Sequence, residues 1–178
     1  MTPVPPQPLQ LSIGRSRRAV SPSGTVDAAT LYIELAPAVR GYLRSQGARD
    51  PDNLLGEVFL NVTRDVGRFR GDWDAARRWV FTIAHNRLID HRRRLAVRPV
   101  EADAELPERA APPLESTSLD PDLEAALAQL TDEQREVVVL RFVADLSLEA
   151  VAGITRRPVG AVKSMQARAL ARLAAILS

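Results

Sequence analysis

The chain has 178 residues, with 24 Lys and Arg against 22 Asp and Glu, a formal net charge of +2 and no cysteine. This length suits one ordinary domain or two small ones, and the absence of cysteine excludes a disulfide framework and a thiolate zinc site, so we expect the reducing cytoplasm. No apolar run approaches the roughly 18 residues of a membrane span and no secretory signal is visible, so no membrane insertion is expected.

The N-terminal part is predicted to be a tail followed by helices. Residues 1–24 are rich in Pro, Ser and Arg without periodicity, which predicts a disordered tail. Apolar residues at helical spacing predict one helix from Val26 to Gly47, with Pro37 as a kink, and a second from about Pro51 to Val66. The two glycines of residues 67–79 (GRFRGDWDAARRW) predict a loop.

A third helix is predicted to contain residues 78–94 (RWVFTIAHNRLIDHRRR), which combine aromatic and basic side chains. Its buried stripe is predicted to comprise Val80, Ala84 and Leu88. Trp79 falls outside the stripe, so Phe69, Trp73 and Trp79 are predicted to cluster around the loop, which also holds Arg68, Arg70, Arg77 and Arg78. Aromatic rings among cations suit unpaired nucleic acid, because each base stacked on a ring gains about 1–3 kcal/mol while Arg binds the backbone. Alternatively Trp79 completes a small core, which is the role we predict for Phe81.

Residues 101–119 are acidic, contain prolines and lack periodicity, which predicts a flexible linker between two small domains. We therefore divide the chain into a first domain at 25–96, a linker at 97–118 and a second domain at 119–178. Basic residues outside the acidic segment favour a polyanionic partner, although a single charge run is commonly only a solvated surface.

Helix-start signals are dense in the second domain. Asp120 precedes Pro121, Thr131 opens a capping box, Ser147 caps a short helix, and Pro158 opens the last helix. No segment alternates with strand periodicity. The sequence therefore predicts an all-α protein of two small helical domains joined by a flexible acidic linker.

The last two predicted helices have the pattern of a helix-turn-helix. Ala152 lies where they would cross, and their apolar joint is predicted to comprise Val151, Ile154, Val159 and Val162. The last helix is predicted to place Val159, Val162, Leu170 and Leu173 on one side, and Lys163, Ser164, Arg168 and Arg172 on the other. The basic side suits a DNA major groove, and the alternative is a helical hairpin with a solvated basic face. Arg156 occupies a turn that usually holds Gly, and Gln166 needs a partner if buried.

Five motifs follow in the order and spacing of the extracytoplasmic-function (ECF) sigma factors of bacterial RNA polymerase. They are EVFLNV (57–62), RFRGD (68–72), RWVFTIAHNRLIDHRRR (78–94), LTDEQREVVVLRFVADLSLEAVA (130–152) and RPVGAVKS (157–164). The chain resembles this family from Leu31 to Leu173. The resemblance implies a factor that binds core RNA polymerase, recognises −10 and −35 promoter elements, promotes promoter melting and is held by an anti-sigma factor. It implies no cofactor, metal or catalytic site.

The resemblance also implies roles for individual residues. Binding of core polymerase is implied for Asn53, Leu54 and Glu57. Binding of the −10 element and its opened strand is implied for Phe69, Arg70, Gly71, Asp72, Trp73, Trp79, Asn86, Arg87, Arg92, Arg93 and Arg94. Binding of the −35 element is implied for Arg156, Arg157, Lys163, Ser164 and Arg168. The linker carboxylates Glu101, Asp103, Glu105 and Glu108 would imitate a phosphate chain in a polymerase channel, or form a solvated spacer.

The chain departs from the family pattern at several positions. Asn53 stands where Asp is common and Gly56 where Gln is common, and Met165 follows the Lys-Ser pair where Arg is frequent. Two other classes of protein account for less of the sequence. A stand-alone helix-turn-helix regulator leaves the aromatic and basic loop unexplained, and an enzyme lacks support because His85 and His91 do not share a helical face.

Overall fold

Helices account for all regular secondary structure in the residues that the computed structural model describes, 26–97 and 121–177. The first range contains α1 (Ala28–Ser45), α2 (Pro51–Asp65), a 3₁₀ turn (Val66–Arg68) and α3 (Trp73–Val97). The second contains α4 (Pro121–Ala128), α5 (Asp132–Val138), a π-helical turn (Val139–Val143), α6 (Leu148–Thr155) and α7 (Val159–Leu177). The all-α prediction is confirmed. The predicted tail and nearly all of the predicted linker lie outside the described residues.

Helices α1 and α2 begin where the sequence predicts. Asp27 caps α1 and Asp50 caps α2, each accepting a hydrogen bond from a first-turn backbone amide at 2.9 Å. Pro51 occupies the first turn of α2, where its missing N–H costs no hydrogen bond, and α1 continues through Pro37. The chain turns between the two helices at Gly47, whose φ of +74° favours glycine.

The N-terminal domain closes around one apolar core between α1, α2 and α3. Its fully buried side chains include Leu31, Val39, Tyr42, Leu43, Leu54, Val58, Val62, Val80, Phe81, Ala84 and Leu88. The predicted stripe of α3 is therefore confirmed, and so is the core role of Phe81. Burying side chains of this size contributes about 1.5–3 kcal/mol each relative to leaving them exposed.

Helix α3 begins earlier than the glycine pattern predicted. The loop expected over 67–79 is confined to residues 69–72, because α3 starts at Trp73. The Asp72 carboxylate accepts a hydrogen bond from the Ala75 amide at 2.8 Å, which satisfies one of the free donors at the helix start. The earlier start places Trp73 and Trp79 on one continuous helix.

Two of the three caps predicted in the C-terminal domain are present, and the third, Asp120, lies outside the described residues. Thr131 and Gln134 exchange the two hydrogen bonds of a capping box at 3.3 Å each, and Ser147 accepts a hydrogen bond from the Ala150 amide at 3.1 Å. After α5 the helix widens into the π-helical turn and ends near Asp145, whose φ is 52°. The predicted break at this position is confirmed, whereas the π-helical turn was not predicted.

The buried side of α7 differs from the prediction. Val159 and Leu170 are 41% and 39% exposed, so their assignment to the apolar side was wrong. The buried residues of α7 are Val162, Ala169 and Leu173. Ala169 lies about 100° around the helix from Leu170, so the stripe through Ala169 turns Leu170 outward. The stripe includes Gln166, whose side-chain oxygen accepts a hydrogen bond from Arg141 Nε at 3.0 Å, so the predicted need for a partner is met.

The two domains contact each other through apolar packing and through three buried or half-buried polar side chains. Tyr42 of α1 donates its hydroxyl proton to Glu136 Oε1 of α5 at 2.8 Å. His85 Nδ1 of α3 lies 3.0 Å from the same oxygen and 3.1 Å from the Tyr42 hydroxyl. We call Tyr42, His85 and Glu136 the interdomain cluster. Around it, α3 packs against α6, and α1 packs against the π-helical turn and α4.

No helix among residues 26–97 and 121–177 combines the length and the apolar character that crossing a membrane would require.

Candidate nucleic-acid interface

Two aromatic side chains of the predicted single-strand site stack on each other. The rings of Phe69, in the loop, and Trp79, on α3, lie 5.0 Å apart at 19° to one another, and both are half-buried. The stack holds the loop against the second turn of α3. Trp73, at the start of α3, is also half-buried and packs against the core. The structure therefore stacks two of the predicted rings, Phe69 and Trp79, and places Trp73 at the start of the same helix but turned about 120° away from Trp79.

The loop between the 3₁₀ turn and α3 is braced by its own polar groups. The Arg70 guanidinium donates hydrogen bonds to the carbonyl oxygens of Gly67 and Phe69, at 2.9 and 2.7 Å. The Asp72 carboxylate accepts the capping hydrogen bond from the Ala75 amide at the start of α3. Arg70 and Asp72 thus stabilise the loop in this structure, because one guanidinium nitrogen of Arg70 and the carboxylate of Asp72 form hydrogen bonds within it.

Gly71 is required by close packing. A Cβ atom at position 71 would lie 2.9 Å from Phe69 Cζ and 2.9 Å from Ala75 Cβ. Both distances are well below the roughly 3.5–4.0 Å at which carbon atoms attract one another. A side chain at Gly71 would therefore displace Phe69 from Trp79 or push the loop away from α3.

The exposed residues of the predicted −10 set on α3 are Asn86, Arg93 and Arg94. Arg93 approaches Asp90 at 3.8 Å, and Arg94 approaches Glu57 of α2 at 3.7 Å. The side chains of Arg93 and Arg94 are 76% and 58% exposed, so these ion pairs are weak and easily exchanged. Two guanidinium groups and an amide are thus available to an anionic partner along the second half of α3.

Arg87 and Arg92 are held closer to the protein. Arg87 donates to Asn61 Oδ1 of α2 at 3.0 Å, and Arg92 donates to the main-chain carbonyl of Gln46 after α1. Both are half-buried. In this structure they tie α3 to its neighbours, in contrast to the exposed Arg93 and Arg94.

The three residues predicted to bind polymerase are not all on the surface. Asn53 and Glu57 are neighbours on the outer face of α2, where Asn53 Nδ2 donates to Glu57 Oε1 at 3.3 Å. Leu54 is 0% exposed and belongs to the core, so it supports α2 and has no surface to offer a partner in this conformation. A Cβ at Gly56 would meet no atom within 4 Å, so packing does not require glycine there.

Sequence reasoning missed a cleft beside this outer face of α2. The cleft of about 320 Å³ is lined by Glu57, Leu60, Asn61, Arg64 and Arg87. Asn61 Oδ1 accepts hydrogen bonds from both Arg64 and Arg87, at 3.0 Å each. Leu60 is 72% exposed beside these polar groups. The sequence signal that could have indicated this cleft was the position of Leu60 outside the apolar stripe of α2.

The helix-turn-helix is formed by α6 and α7. Arg156 ends α6 in the left-handed region, with φ 55° and ψ 40°, although this turn usually holds glycine. Val151 and Ile154 of α6 and Val162 of α7 are buried, as predicted for the joint, whereas Val159, predicted for the same joint, is exposed. The Arg157 guanidinium donates a hydrogen bond to Glu133 Oε1 of the same domain at 2.7 Å. Arg156 remains exposed at the turn.

The face of α7 predicted for duplex DNA is exposed. Lys163, Ser164 and Arg168 all lie on the surface. Ser164 Oγ donates to the Gly160 carbonyl at 3.0 Å, and Arg168 Nε donates to the Ser164 carbonyl at 3.3 Å. These are helix-internal contacts that a groove ligand can replace. The structure therefore presents one hydroxyl and two cationic groups on successive turns.

Within the two described ranges, no three or more His, Cys, Asp and Glu side chains are arranged to hold a metal ion.

Comparison with known protein families divides the chain into two parts, which correspond to the two described ranges of helices. The model for Sigma-70 region 2 matches residues 31–98, and that for Sigma-70 region 4 matches residues 126–175. The first covers the aromatic stack and α3, and the second covers the helix-turn-helix.

Several characterised proteins are similar over most of the chain. The ECF RNA polymerase sigma factor BldN of Streptomyces coelicolor is 34% identical over 165 residues, covering 87% of this chain and 62% of BldN. The ECF RNA polymerase sigma factor RpoE of Cereibacter sphaeroides is 31% identical over 152 residues, covering 82% of this chain and 83% of RpoE. CarQ of Myxococcus xanthus, an RNA polymerase sigma factor, is 33% identical over 83% of this chain and 87% of CarQ.

A solved structure has the same architecture. The sigma factor RpoE of Bartonella quintana, crystallised with the anti-sigma factor NepR, superposes with a TM-score of 0.64 at 25% identity, over 84% of this chain and 95% of that one. Because both sigma-70 regions occur in order on one all-α chain, and relatives of this similarity share them, the protein belongs to the ECF family of RNA polymerase sigma factors.

Proposed function

We propose that this protein is a transcription initiation factor that binds core RNA polymerase, recognises −10 and −35 promoter elements and promotes promoter melting. The observation that carries the proposal is the Phe69–Trp79 stack at the start of a basic helix in one domain, combined with a helix-turn-helix in the other. Rings and cations suit opened strands, whereas a helix-turn-helix suits duplex DNA. A factor that starts strand separation needs both.

At the −10 element, the loop and α3 would act on the strand that leaves the duplex. Extruding a base costs a few kcal/mol, and stacking on a preformed aromatic surface offsets this cost. Phe69 and Trp79 supply that surface, while Gly71 lets the loop lie close to it. Asn86, Arg93 and Arg94 would bind the phosphate backbone and base edges along the same helix.

At the −35 element, α7 would enter the major groove. Arg168 would contact guanine, because an Arg guanidinium can pair with two acceptor atoms of that base, and Lys163 and Ser164 suit phosphate or base oxygens. Arg156, which is exposed at the turn, would bind a backbone phosphate. We assign Arg157 a supporting role, because Glu133 already binds its guanidinium.

The outer face of α2 would contact the polymerase. Asn53 and Glu57 are exposed or half-exposed there and adjoin the cleft that contains Leu60 and Arg64. Protein interfaces combine an apolar centre with a polar rim, and Leu60 among charged groups is compatible with that pattern. Leu54 would contribute only by fixing the position of α2.

An anti-sigma factor is a further proposed partner, since the similar RpoE of Bartonella quintana was crystallised with one. Transcription initiation takes place in the bacterial cytoplasm, where we place the protein. The proposal assigns it no catalytic chemistry, cofactor or metal.

Promoter opening tests the proposal directly. A 2-aminopurine base placed in the −10 element brightens when it unstacks, so its fluorescence reports opening by holoenzyme assembled with core polymerase. We expect Trp79→Ala to abolish the rise, and Tyr32→Ala, which changes an exposed aromatic on α1, to retain it. An unaltered rise in Trp79→Ala would refute the assignment. Duplex binding without polymerase and without any opening would favour a stand-alone regulator.

A further inference from the structure

Lys163 is the only lysine of the chain, although the chain contains 24 lysine and arginine residues in total. Every other basic side chain of these two types therefore carries a guanidinium, which stays protonated in proteins and does not react with acyl donors. The lysine amine can lose its proton and is the usual target of acetylation. Apart from an N-terminal amine, Lys163 is thus the one group at which acylation can remove a positive charge from this protein.

The amine of Lys163 is accessible on the outer face of α7. Lys163 itself is exposed. On the same face, Gly160 three residues before it and Ala167 four residues after it are exposed and offer almost no side chain that could shield the amine. Among residues 26–97 and 121–177, no carboxylate forms an ion pair with Lys163. A small acyl donor can therefore reach the amine without displacing a neighbour.

The surface around Lys163 is positively charged. Residues 156–177 contain no Asp or Glu, and their basic residues are Arg156, Arg157, Lys163, Arg168 and Arg172. A surface of one sign raises the local concentration of small ions of the opposite sign. Acyl phosphates and acyl-coenzyme A are anionic because they carry phosphate groups. The arginines that suit DNA phosphate would therefore also concentrate these donors beside the amine.

We propose that Lys163 is an acylation site and that its modification weakens recognition of the −35 element. This inference rests on the function proposed for α7. In the reaction, the unprotonated amine nitrogen attacks the carbonyl carbon of an acyl phosphate. A C–N bond forms, the C–O bond to the phosphate breaks, inorganic phosphate leaves with the electron pair, and the amine proton passes to solvent. The product is a neutral amide, which cannot form an ion pair with a DNA phosphate.

The loss of this one cation should have a measurable effect on promoter binding. Each phosphate contact contributes about 0.9 to the slope of the logarithm of the binding constant against the logarithm of the salt concentration. We expect acylation to weaken promoter binding about tenfold and to lower that slope by about 1. Arg168 and Arg172 keep their charges, so binding should be weakened and not abolished.

Acetyl phosphate is the probe that tests the chemistry. The folded protein, and the protein unfolded in guanidinium chloride, would each be incubated with it, and peptide mass spectrometry would measure acetylation of Lys163 and of the N-terminal amine. We expect Lys163 to react at least as fast in the folded protein, because the fold exposes it and gathers arginines around it. Reaction of the folded protein at the N-terminal amine alone, or at Lys163 only after unfolding, would overturn the inference.

Promoter binding by holoenzyme assembled with core RNA polymerase tests the consequence. The acetylated parent and Lys163→Gln should both bind about tenfold more weakly than the unmodified parent, with the smaller salt slope. Lys163→Arg keeps a charge but has no amine, so prior treatment with acetyl phosphate should leave its affinity where it was. Arg49→Gln removes the same charge at an exposed position of the N-terminal domain, and it should bind like the parent.

Two negative results have different meanings. Unchanged promoter affinity in a parent protein that is fully acetylated at Lys163 would overturn the inference and leave the proposed function intact. If holoenzyme with the unmodified parent binds no promoter, the proposed function fails, and the mass spectra still decide whether Lys163 is acylated.

Discussion

Replacing Gly71 with alanine tests whether the aromatic stack depends on the shape of the loop. The new methyl group would lie 2.9 Å from both Phe69 Cζ and Ala75 Cβ. Ala75 is fixed to α3, so the Phe69 ring is the part that must move. Losing a stacked pair costs about 0.5–1.5 kcal/mol, and overpacking of this kind about 1–3 kcal/mol. We therefore expect the free energy of unfolding to fall by about 1–2 kcal/mol, with promoter opening reduced by about tenfold.

Gly67→Ala is the matched control, because a Cβ there would meet no atom within 4 Å. Urea unfolding followed by circular dichroism gives the stability change, and 2-aminopurine fluorescence gives the opening. We expect the control to be neutral or slightly stabilising, since alanine reduces the freedom of the unfolded chain. Equal stability and equal opening in the two variants would refute the argument that Gly71 supports the stack.

Three further predictions concern single side chains. Phe81→Ala, at a fully buried position, should lower the free energy of unfolding by about 3–5 kcal/mol in a urea titration, whereas half-buried Trp79→Ala should lower it by less and impair mainly opening. Thr131→Ala should cost about 1 kcal/mol by removing the cap of α5, measured in the same way, and a change near zero would contradict the capping role. Although burial opposes it, hydrogen bonds with His85 and Tyr42 lower the pKa of Glu136, so the contribution of this carboxylate to folded-state stability is fully present above its ordinary value of 4.5 and is lost as pH falls through the lowered value. In urea titrations the parent protein should therefore lose more stability at acidic pH than Glu136→Gln does, and equal acid sensitivity of the two would contradict this.

Local signals predicted the helices well. Thr131 and Ser147 cap the helices that the sequence assigned to them, because a cap depends only on residues three or four positions away. The start of α3 was missed because two glycines suggested a longer loop, although Asp72 was the decisive signal. In α7, Leu170 was placed on the buried side because an apolar residue near a stripe is easily assigned to it.

The arrangement of the candidate site was predicted only in part. Aromatic and basic composition indicated that Phe69 and Trp79 belong together, and the structure stacks them. Contacts between distant segments could not be read from periodicity. Tyr42 and Glu136 are 94 positions apart, and no local pattern marks either as an interdomain partner. Leu54 was assigned to a surface by family likeness, whereas packing puts it in the core.

Run-off transcription with core RNA polymerase from a related bacterium and a library of genomic fragments tests the central claim most directly. Mapping transcript 5′ ends should reveal starts that depend on this protein and share two spaced sequence elements. Trp79→Ala should abolish those starts, while Tyr32→Ala should retain them. Tight binding to duplex DNA without any new starts would contradict the account and leave a regulator that acts without the polymerase.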